Sequence, residues 1–378
     1  MRVAYISLTT PFSRSSWSGI PYYSYREIVR RFPDTHVVDT PRMDGLIRRI
    51  ALIERYGLLV RRRQMVSRYY GAVINAALEK IQPDVVVAVA SAHKLARLDP
   101  KWPLVYAADA LFETVVGYYS KYAAFGTAMR ANGNVVQREL LGRADRVLLA
   151  SDWAARSAVD FYGLPAHQVS VAPMGANLDS DPGWRAPKTD GPLSLLFVGY
   201  DWKRKGGDMV LATWRALRAR TGNAELHIVG AQPSDAYGLE GVFLHGRLNK
   251  SQPQDYARFA ELYDRASFFF MPSRQEAYGI VYCEAAAFGR PSIAANTGGV
   301  PTIVQDGKTG ILLQPDENPD VAADRIMAIW QDVDRYAAMC AAARRAYETT
   351  LNWTSWGDKV DLAIRDTLAD RGDHKTSE

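Results

Sequence analysis

The 378-residue sequence is poor in cysteine and histidine and lacks a long hydrophobic run. Its two cysteines, Cys283 and Cys340, lie in apolar or alanine-rich helical patterns, which argues against a disulfide framework or a cysteine-based metal centre. No apolar run approaches the roughly 18 residues that a membrane-spanning helix needs. Residues 1–8 read as a buried strand and lack the apolar core and cleavage site of a signal peptide, so we expect a cytoplasmic protein.

The length and composition predict a folded protein with two domains. Hydrophobic residues make up 48% of the chain and charged residues 23%, a balance that is typical of globular domains. Because 378 residues exceed what one ordinary α/β core needs, two domains are expected.

Positive charge is concentrated in the first half of the chain. Residues 1–178 carry 23 lysines and arginines against 14 acidic residues, whereas the remaining residues carry 23 against 27. Most of the excess lies in residues 46–73, where seven arginines accompany a single acid, Glu54. Such a stretch predicts an anionic partner, which is a nucleic acid, a membrane surface or a charged substrate.

Short apolar runs alternate with longer amphipathic segments along the whole chain, a pattern typical of βαβ units with parallel sheets. Strands are predicted near residues 2–8, 36–39, 84–90, 104–107, 146–150 and 169–172, then 193–198, 225–229, 242–245, 268–271, 292–295 and 310–313. A segment rich in turn formers, residues 175–192, separates the two sets and reads as a linker. The fold expected is α/β, with two doubly wound domains facing a central cleft.

Residues 268–291 contain the most informative motif. The strand Phe268–Met271 leads through a short loop to Gly279, after which a helix of about three turns is predicted to end at Gly289. The first backbone N–H groups of this helix, around Gly279 and Ile280, form a ready site for an anion such as a diphosphate.

Two carboxylates flank that helix start. Glu276 lies just before the helix, and Glu284 lies about one turn inside it. Ionised carboxylates accept hydrogen bonds from vicinal hydroxyls, so the pair suits a ligand that is anionic in its middle and rich in hydroxyls at both ends. A nucleotide sugar is such a ligand.

The spacing of Glu276 and Glu284, followed by Gly298–Pro301 and Asp306–Gly310, resembles family 4 of the retaining glycosyltransferases with the GT-B fold (glycosyl transferases group 1). The resemblance covers roughly residues 190–350. It implies a hexosyltransferase-type enzyme that moves a sugar from a nucleotide-diphosphate sugar to a hydroxyl with retention. By the same resemblance, Glu276 contacts the donor sugar, Glu284 the ribose hydroxyls, and the backbone of Gly279 and Ile280 the donor.

The resemblance also assigns roles to the two domains. Residues 1–178, together with a crossover helix at 353–370, would form the acceptor-binding domain, and residues 190–350 the donor-binding domain. An acceptor from cell-surface glycan or glycolipid assembly is implied, either a glycan or a lipid-linked molecule.

A second motif, residues 199–207, follows the strand at 193–198 and places cations before a Gly-Gly helix start. Cations there can neutralise the charge that builds up as a nucleoside diphosphate departs. We map the family's basic donor-phosphate motif onto Arg204 and Lys205. The family often has an arginine directly after the strand glycine, where this chain has Tyr200. Either Lys203 replaces that arginine, or two cations hold the phosphate.

Three further residues are candidates. Gly19 follows the first strand, and relatives use a glycine there to bring the backbone close to the donor phosphate, although a plain turn is the alternative. Asp109 follows a strand and either contacts the acceptor or transferred sugar or caps a helix. Arg247 lies in the region where, in members of the family, the backbone usually contacts the nucleobase. His93 is interpreted as a polar loop residue and not as a site residue.

No metal and no cofactor beyond the nucleotide-sugar co-substrate are expected. The pairs Asp179/Asp181 and Asp332/Asp334 match an Asp-x-Asp metal motif, but neither lies near the donor motifs. The loop after the first strand does not read Gly-x-Gly-x-x-Gly, which argues against a dinucleotide dehydrogenase.

Two alternatives to a transferase stay open. One is a hydrolysing sugar-nucleotide epimerase, and the other is a non-catalytic partner subunit that binds the nucleotide sugar. A nucleic-acid partner is not expected, because the C-terminal half is acidic. Instead, the stretch from Arg48 to Arg68, which mixes arginines with aliphatic residues, predicts peripheral binding to an anionic membrane surface.

Overall fold

The chain folds into two α/β units, each built around one parallel sheet. The computed structural model describes residues 1–50, 64–123, 125–187 and 189–375. Unit 1 comprises Met1–Met174 and Trp353–Glu378, and unit 2 comprises Gly175–Asn352. The acceptor-binding and donor-binding roles of the two halves stay predictions.

Unit 1 contains a six-stranded sheet with the order β2-β1-β3-β4-β5-β6, in which every strand pair is parallel. Its described elements are β1 (Val3–Ser7), α1 (Ile20–Arg31), β2 (Thr35–Val37), α2 (Pro41–Ile50), α3 (Gln64–Ile81), β3 (Val85–Val89), α4 (Ala92–Leu95), β4 (Leu104–Ala108), α5 (Phe112–Tyr118), α6 (Thr127–Arg143), β5 (Arg146–Leu149), α7 (Asp152–Asp160) and β6 (Val169–Val171). Short 3-10 turns cover Ser16–Gly19, Ser120–Tyr122 and Ala166–Gln168.

Unit 2 contains a second six-stranded parallel sheet, with the order β12-β11-β10-β7-β8-β9. Its elements are β7 (Ser194–Gly199), α8 (Gly207–Thr221), β8 (Glu225–Gly230), β9 (Val242–Gly246), α9 (Pro253–Arg265), β10 (Phe268–Met271), α10 (Ile280–Ala287), β11 (Ser292–Ala295), α11 (Val300–Ile303), β12 (Gly310–Leu313), α12 (Pro319–Trp330) and α13 (Val333–Thr349). A 3-10 turn covers Ser234–Ala236.

The last helix, α14 (Trp353–Lys375), returns to unit 1. Arg31 of α1 donates 2.7 Å hydrogen bonds to Asp358 and to the carbonyl of Thr354. Further along α14, Arg371 pairs with Asp145 at 2.9 Å. These polar contacts join the chain's end to its first helix and to the sheet.

All twelve strands predicted from the sequence are confirmed within a few residues. The central strands are apolar on both faces because helices cover both sides of each sheet; Val85–Val89 and Phe268–Met271 are completely buried. The prediction for α10 was too long, since the helix ends after eight residues at Ala287. Gly289 follows it with a φ of +65°, in the predicted position.

The turn-rich segment that begins at Gly175 belongs to unit 2 and does not lie between the units as a free linker. The amide of Ala176 donates to the carbonyl of Leu351 at 3.0 Å, and Arg344 forms a bidentate pair with Asp181 at 2.7 Å. The predicted end of the first domain at 178 therefore differs slightly from the observed end at Met174.

Within the described residues, no helix is long and apolar enough to span a bilayer. Much of the basic stretch between Arg48 and Arg68, including Arg55 and Arg61–Arg63, lies outside those residues.

Candidate functional site

The two donor motifs of the sequence meet at the switch point of the unit 2 sheet. Strands β7 and β10 are neighbours at the centre, and the strand order runs outward from them in opposite directions. The connections that leave their carboxyl ends diverge, which opens a crevice where doubly wound sheets bind ligands. Residues 200–206 follow β7 and residues 272–279 follow β10, so the topology brings both loops to this crevice.

The two loops contact each other backbone to backbone. Gly206 has a φ of +74°, and a Cβ there would lie 2.2 Å from the carbonyl oxygen of Pro272. The Nη1 of Arg204 donates to the carbonyl of Gln275 at 2.9 Å, and the amide of Arg274 donates to the carbonyl of Arg204 at 2.8 Å. Residue 206 must therefore be glycine for conformation and for space.

Lys205 and Glu276 form an ion pair that joins the loops. Both side chains are largely buried, and the Oγ of Ser273 donates to the same carboxylate oxygen at 3.3 Å. A cation that suits a phosphate and a carboxylate that suits hydroxyl groups thus lie side by side, away from most of the solvent that would screen them.

Helix α10 begins directly beside this pair. Its N-cap, Gly279, has a φ of +95°, and a Cβ there would lie 2.4 Å from the ring of Tyr282. Ile280 is the first helical residue, and the first N–H groups of any helix have no carbonyl partner within it. The turn therefore presents backbone donors at the crevice, where an anion is stabilised.

Glu284 lies one turn further along α10 and is completely buried. Its Oε1 accepts a 2.5 Å hydrogen bond from the Nζ of Lys250, which lies in the loop after β9. Its Oε2 has no hydrogen-bond partner of normal geometry within the described residues. Burial raises the pKa of this carboxyl, while Lys250 and the backbone of Asn177 act in the opposite direction. A buried carboxylate oxygen that lacks a donor of normal geometry suits a ligand hydroxyl.

These loops lie inside a recognised family region. Residues 192–332 match the family model described as Glycosyl transferases group 1. This part of the chain is therefore similar to the group 1 glycosyltransferases. The resemblance drawn from Glu276, Glu284 and the glycines that follow them is thereby confirmed.

Curated proteins similar to this chain include the D-inositol 3-phosphate glycosyltransferases of Nocardia farcinica and Geodermatophilus obscurus. Both are 32% identical to it, over 221 and 251 residues. The alignments cover 54% and 60% of this chain, and 49% and 54% of those proteins. The chain therefore spans about half the length of the curated relatives it matches.

Solved structures share the fold of this chain. Sucrose-phosphate synthase from Thermosynechococcus elongatus has a TM-score of 0.72 at 18% identity, covering 98% of this chain and 100% of that chain. HepE from Anabaena, solved in complex with UDP and glucose, has a TM-score of 0.65 at 15% identity, covering 97% and 99%. The chain thus has the GT-B fold, with two Rossmann-like domains.

Arg247 lies at the other end of the carboxyl edge of unit 2, in the loop after β9. Its guanidinium lies 4.8 Å from the centre of the Tyr200 ring, and Tyr200 itself is exposed. Tyr200 stands where the family often has an arginine, so the contact brings a guanidinium close to that position. Lys203, which was considered from the sequence as a replacement for that arginine, is exposed.

In unit 1 the candidate residues Gly19 and Asp109 follow strands β1 and β4, at the carboxyl edge of the first sheet. Gly19 has a φ of +86° and follows two more residues in the left-handed region, Trp17 and Ser18. Such strained turns occur at ligand sites more often than elsewhere. Asp109 is half-buried after β4. The N-cap of α5 is Leu111, so the alternative that Asp109 caps this helix is wrong.

The other residues that the sequence singled out have structural surroundings. His93 is buried in α4 against the ring of Tyr70, and does not lie in a polar loop. Asp181 pairs with Arg344, and Asp332 caps α13 by accepting from the amide of Arg335.

The described part of the chain shows neither a cluster of metal-binding side chains nor an exposed cysteine thiol. Cys283 and Cys340 are buried thiols, and burial raises their pKa values to about 12 and about 11. Across the same residues, no group of three histidine, cysteine or acidic side chains could hold a metal ion.

Lys250 and Ser273 contact the candidate glutamates but were not among the residues predicted from the sequence. Lys250 follows β9 within a loop at the carboxyl edge, and a search for cations in such loops would have found it. No sequence pattern pointed to Ser273, because its hydrogen bond to Glu276 depends on the conformation of the loop, which only the structure reveals.

Proposed function

We propose that this chain transfers a sugar from a nucleotide-diphosphate sugar to an acceptor hydroxyl, with retention of configuration and without a metal ion. One observation carries the proposal: Lys205, Glu276 and the buried Glu284 surround the N-terminus of α10 at the switch point of unit 2. The complex of HepE with UDP and glucose, a protein of the same fold, supports this class of donor.

Each end of the donor has a matching group in the crevice. The carboxylate of Glu284 would accept ribose hydroxyls, and Glu276 would accept hydroxyls of the sugar. Lys205, Arg204 and the first N–H groups of α10 would hold the diphosphate and stabilise the charge that develops as it leaves.

The reaction needs no nucleophile from the protein. The bond between the anomeric carbon and the diphosphate oxygen breaks, and a bond to the acceptor oxygen forms on the same face. The acceptor's proton passes to the departing phosphate oxygen. In unit 1, Asp109 would contact the acceptor or the transferred sugar, and the backbone at Gly19 would approach the donor phosphate.

Substitution of the two glutamates tests the donor assignment. Glu284→Gln should weaken binding of the nucleoside diphosphate, and Glu276→Gln should lower turnover more than nucleotide affinity. Each lost charge-assisted bond should cost about 1.5–3 kcal/mol. Calorimetric binding of UDP, GDP and ADP, followed by transfer assays with the corresponding sugars, measures both effects. Glu240→Gln, at a residue that is 93% exposed, is the matched control.

The outcomes distinguish the alternatives. Transfer to an acceptor supports the proposal, and NMR of the product's anomeric proton tests retention. Free epimerised sugar would indicate a hydrolysing epimerase, and binding without turnover a partner subunit. Wild-type binding and turnover in both glutamate variants would overturn the site.

Metal independence follows from the charges in the crevice, because Lys205, Arg204 and the helix N-terminus supply what a divalent ion supplies elsewhere. Transfer in excess EDTA should match transfer with added Mn²⁺. A loss of activity that Mn²⁺ restores would contradict this part of the proposal.

We propose as acceptor a glycan or lipid-linked hydroxyl used in cell-surface glycan or glycolipid assembly, at the cytoplasmic face of an anionic membrane. Two helices of unit 1 carry exposed apolar side chains spaced four residues apart, and hence on one face of each helix: Leu46 and Ile50 on α2, and Met65, Tyr69 and Val73 on α3. Met65 is 78% exposed.

Basic residues accompany this apolar surface. Arg42, Arg49 and Arg68 are exposed on the same two helices. Each such residue near an anionic bilayer contributes about 1 kcal/mol of binding, and aliphatic and tyrosine side chains add apolar contact with the interface. A soluble anionic acceptor would use the charge alone and leave the apolar residues without a role.

Vesicle co-sedimentation tests the membrane assignment. The protein should sediment with phosphatidylcholine–phosphatidylglycerol vesicles, less so at high salt, and not with phosphatidylcholine alone. The variant Met65→Ser/Tyr69→Ser should lose binding, whereas Leu362→Ser, at an exposed leucine of α14, should retain it. Equal recovery with both vesicle types, or none at low salt, would end the proposal. Transfer assays that compare lipid-linked sugars with D-inositol 3-phosphate, named for the relatives, would then identify the acceptor class.

A further inference from the structure

The contact between Lys250 and Glu284 is the most unusual feature of the donor crevice. A completely buried carboxylate has one oxygen bound to a lysine and the other without a partner of normal geometry in the described chain. The Nζ of Lys250 is also held from a second direction, since it lies 4.3 Å from the centre of the buried Phe259 ring on α9. The ammonium group is thus fixed by a carboxylate and an aromatic face together.

We propose that Lys250 is a positioning residue for the nucleotide: it keeps Glu284 ionised and fixes its Oε1, so that Oε2 is the atom offered to a ribose hydroxyl. The inference rests on the proposed function, because it assumes that the crevice binds a nucleoside diphosphate.

The physical reason is the cost of burying a charge. A carboxylate that is removed from water takes up a proton unless a cation or several donors compensate it. A protonated carboxyl would be a poorer acceptor for a ribose hydroxyl than the ionised form. Lys250 is 29% exposed and approaches from the loop side, so it can compensate the charge and still face a ligand in the crevice.

The other groups that act on Glu284 do not titrate in the neutral range. Tyr263 on α9 and Cys283 on α10 interact with it electrostatically, and burial raises the pKa values of both, that of Cys283 to about 12. The backbone of Asn177 is uncharged at every pH. Lys250 is therefore the group whose removal should change the ionisation of Glu284.

The pH dependence of nucleotide binding tests the proposal. The probe is whichever of UDP, GDP and ADP the unmodified protein binds most tightly, measured by calorimetry between about pH 6 and pH 9. In Lys250→Met the carboxyl should protonate at a higher pH, so affinity should fall as pH falls and begin to fall earlier than in the unmodified protein. A rise of one pKa unit makes binding about tenfold weaker at the acidic end. Lys250→Arg should restore the profile, and the exposed Lys308→Met should not alter it.

A double variant separates positioning from a merely structural role. Glu284→Gln cannot ionise, so Lys250→Met added to it should produce no further pH dependence. An unchanged profile in Lys250→Met, an equal loss at every pH, or tighter binding would each overturn the inference. If the unmodified protein binds none of the three nucleotides, the proposed function itself fails. If it binds one and only Glu284→Gln weakens it, the inference alone fails. Unfolding midpoints of all variants exclude loss of fold as the cause.

Discussion

Both units hold a lysine–carboxylate pair near the carboxyl edge of their sheet, and the two pairs differ in how completely they are satisfied. In unit 1, the buried Lys94 donates to Asp44 at 2.8 Å and to the carbonyl of Ser7 at 3.1 Å. The other oxygen of Asp44 accepts from Tyr70 at 2.6 Å, and Thr40 adds a further bond at 3.2 Å. In unit 2, the pair of Lys250 and Glu284 leaves one carboxylate oxygen without a donor of normal geometry in the described chain.

The difference separates a structural ion pair from a ligand-directed one. A buried network in which both carboxylate oxygens have donors gains nothing from a ligand and holds helices in place. A buried carboxylate with an unused oxygen is costly in the isolated protein and becomes satisfied when a hydroxyl arrives. Two lysine–carboxylate pairs near the carboxyl edges of the two sheets are therefore expected to behave differently on substitution.

The largest effect should come from breaking the unit 1 pair. Lys94→Met should lower the free energy of unfolding by about 3–4 kcal/mol, the lower part of the range for buried pairs, because the Asp44 side chain keeps 18% exposure. Lys250→Met should cost less, about 1–2 kcal/mol, since Glu284 can take up a proton instead. Urea unfolding of both variants measures the contrast. Equal losses would show that the two pairs do not differ in kind.

An intermediate effect is expected at Gly206, where the backbone of the unit 2 crevice is most crowded. Gly206→Ala should cost about 2–3 kcal/mol, combining a left-handed alanine with a clash against the carbonyl of Pro272. Gly222, with a φ of +76° and open space around its Cβ position, is the matched control. Gly222→Ala should cost only about 1 kcal/mol. If both variants lost the same free energy of unfolding in thermal or urea denaturation, the close approach of the two loops would not contribute to stability.

The smallest effect concerns acid sensitivity, which we expect from a histidine pair in unit 2. His227 and His245 are hydrogen-bonded at 3.0 Å on β8 and β9, and burial lowers both pKa values, that of His245 to about 4. The unfolded chain protonates these groups near pH 6.5, so it binds more protons than the folded state between about pH 6.5 and 4, and stability falls as pH falls through that window. His245→Gln should flatten this part of the curve of unfolding midpoint against pH. If the curve of the variant were as steep as that of the unmodified protein, groups other than this histidine pair would cause the acid sensitivity.

Much of the fold was readable from the sequence because parallel strands buried on both faces leave continuous apolar runs. Val85–Val89 and Phe268–Met271 are such runs, and the strand positions derived from them are confirmed. The length of α10 was overestimated because the prediction extended the helix almost to Gly289. The helix ends at Ala287, and Phe288 and the left-handed Gly289 form the turn that follows it. The first domain's end was placed late because the polar segment after Gly175 carried no sign that it packs on unit 2.

The sequence by itself determined the two-unit α/β plan and the resemblance to a family, and it made Glu276, Glu284, Arg204 and Lys205 candidates, since apolar periodicity and spacing within a loop or helix are local properties. Only the tertiary structure decided which of these residues pair. Lys205 and Glu276 are far apart in the chain and meet because β7 and β10 are adjacent at the centre of the sheet. Lys250 joins Glu284 because the loop after β9 passes close to α10. Contacts of this kind depend on strand order, and strand order is set by how the whole unit buries its apolar surface rather than by any short stretch of sequence.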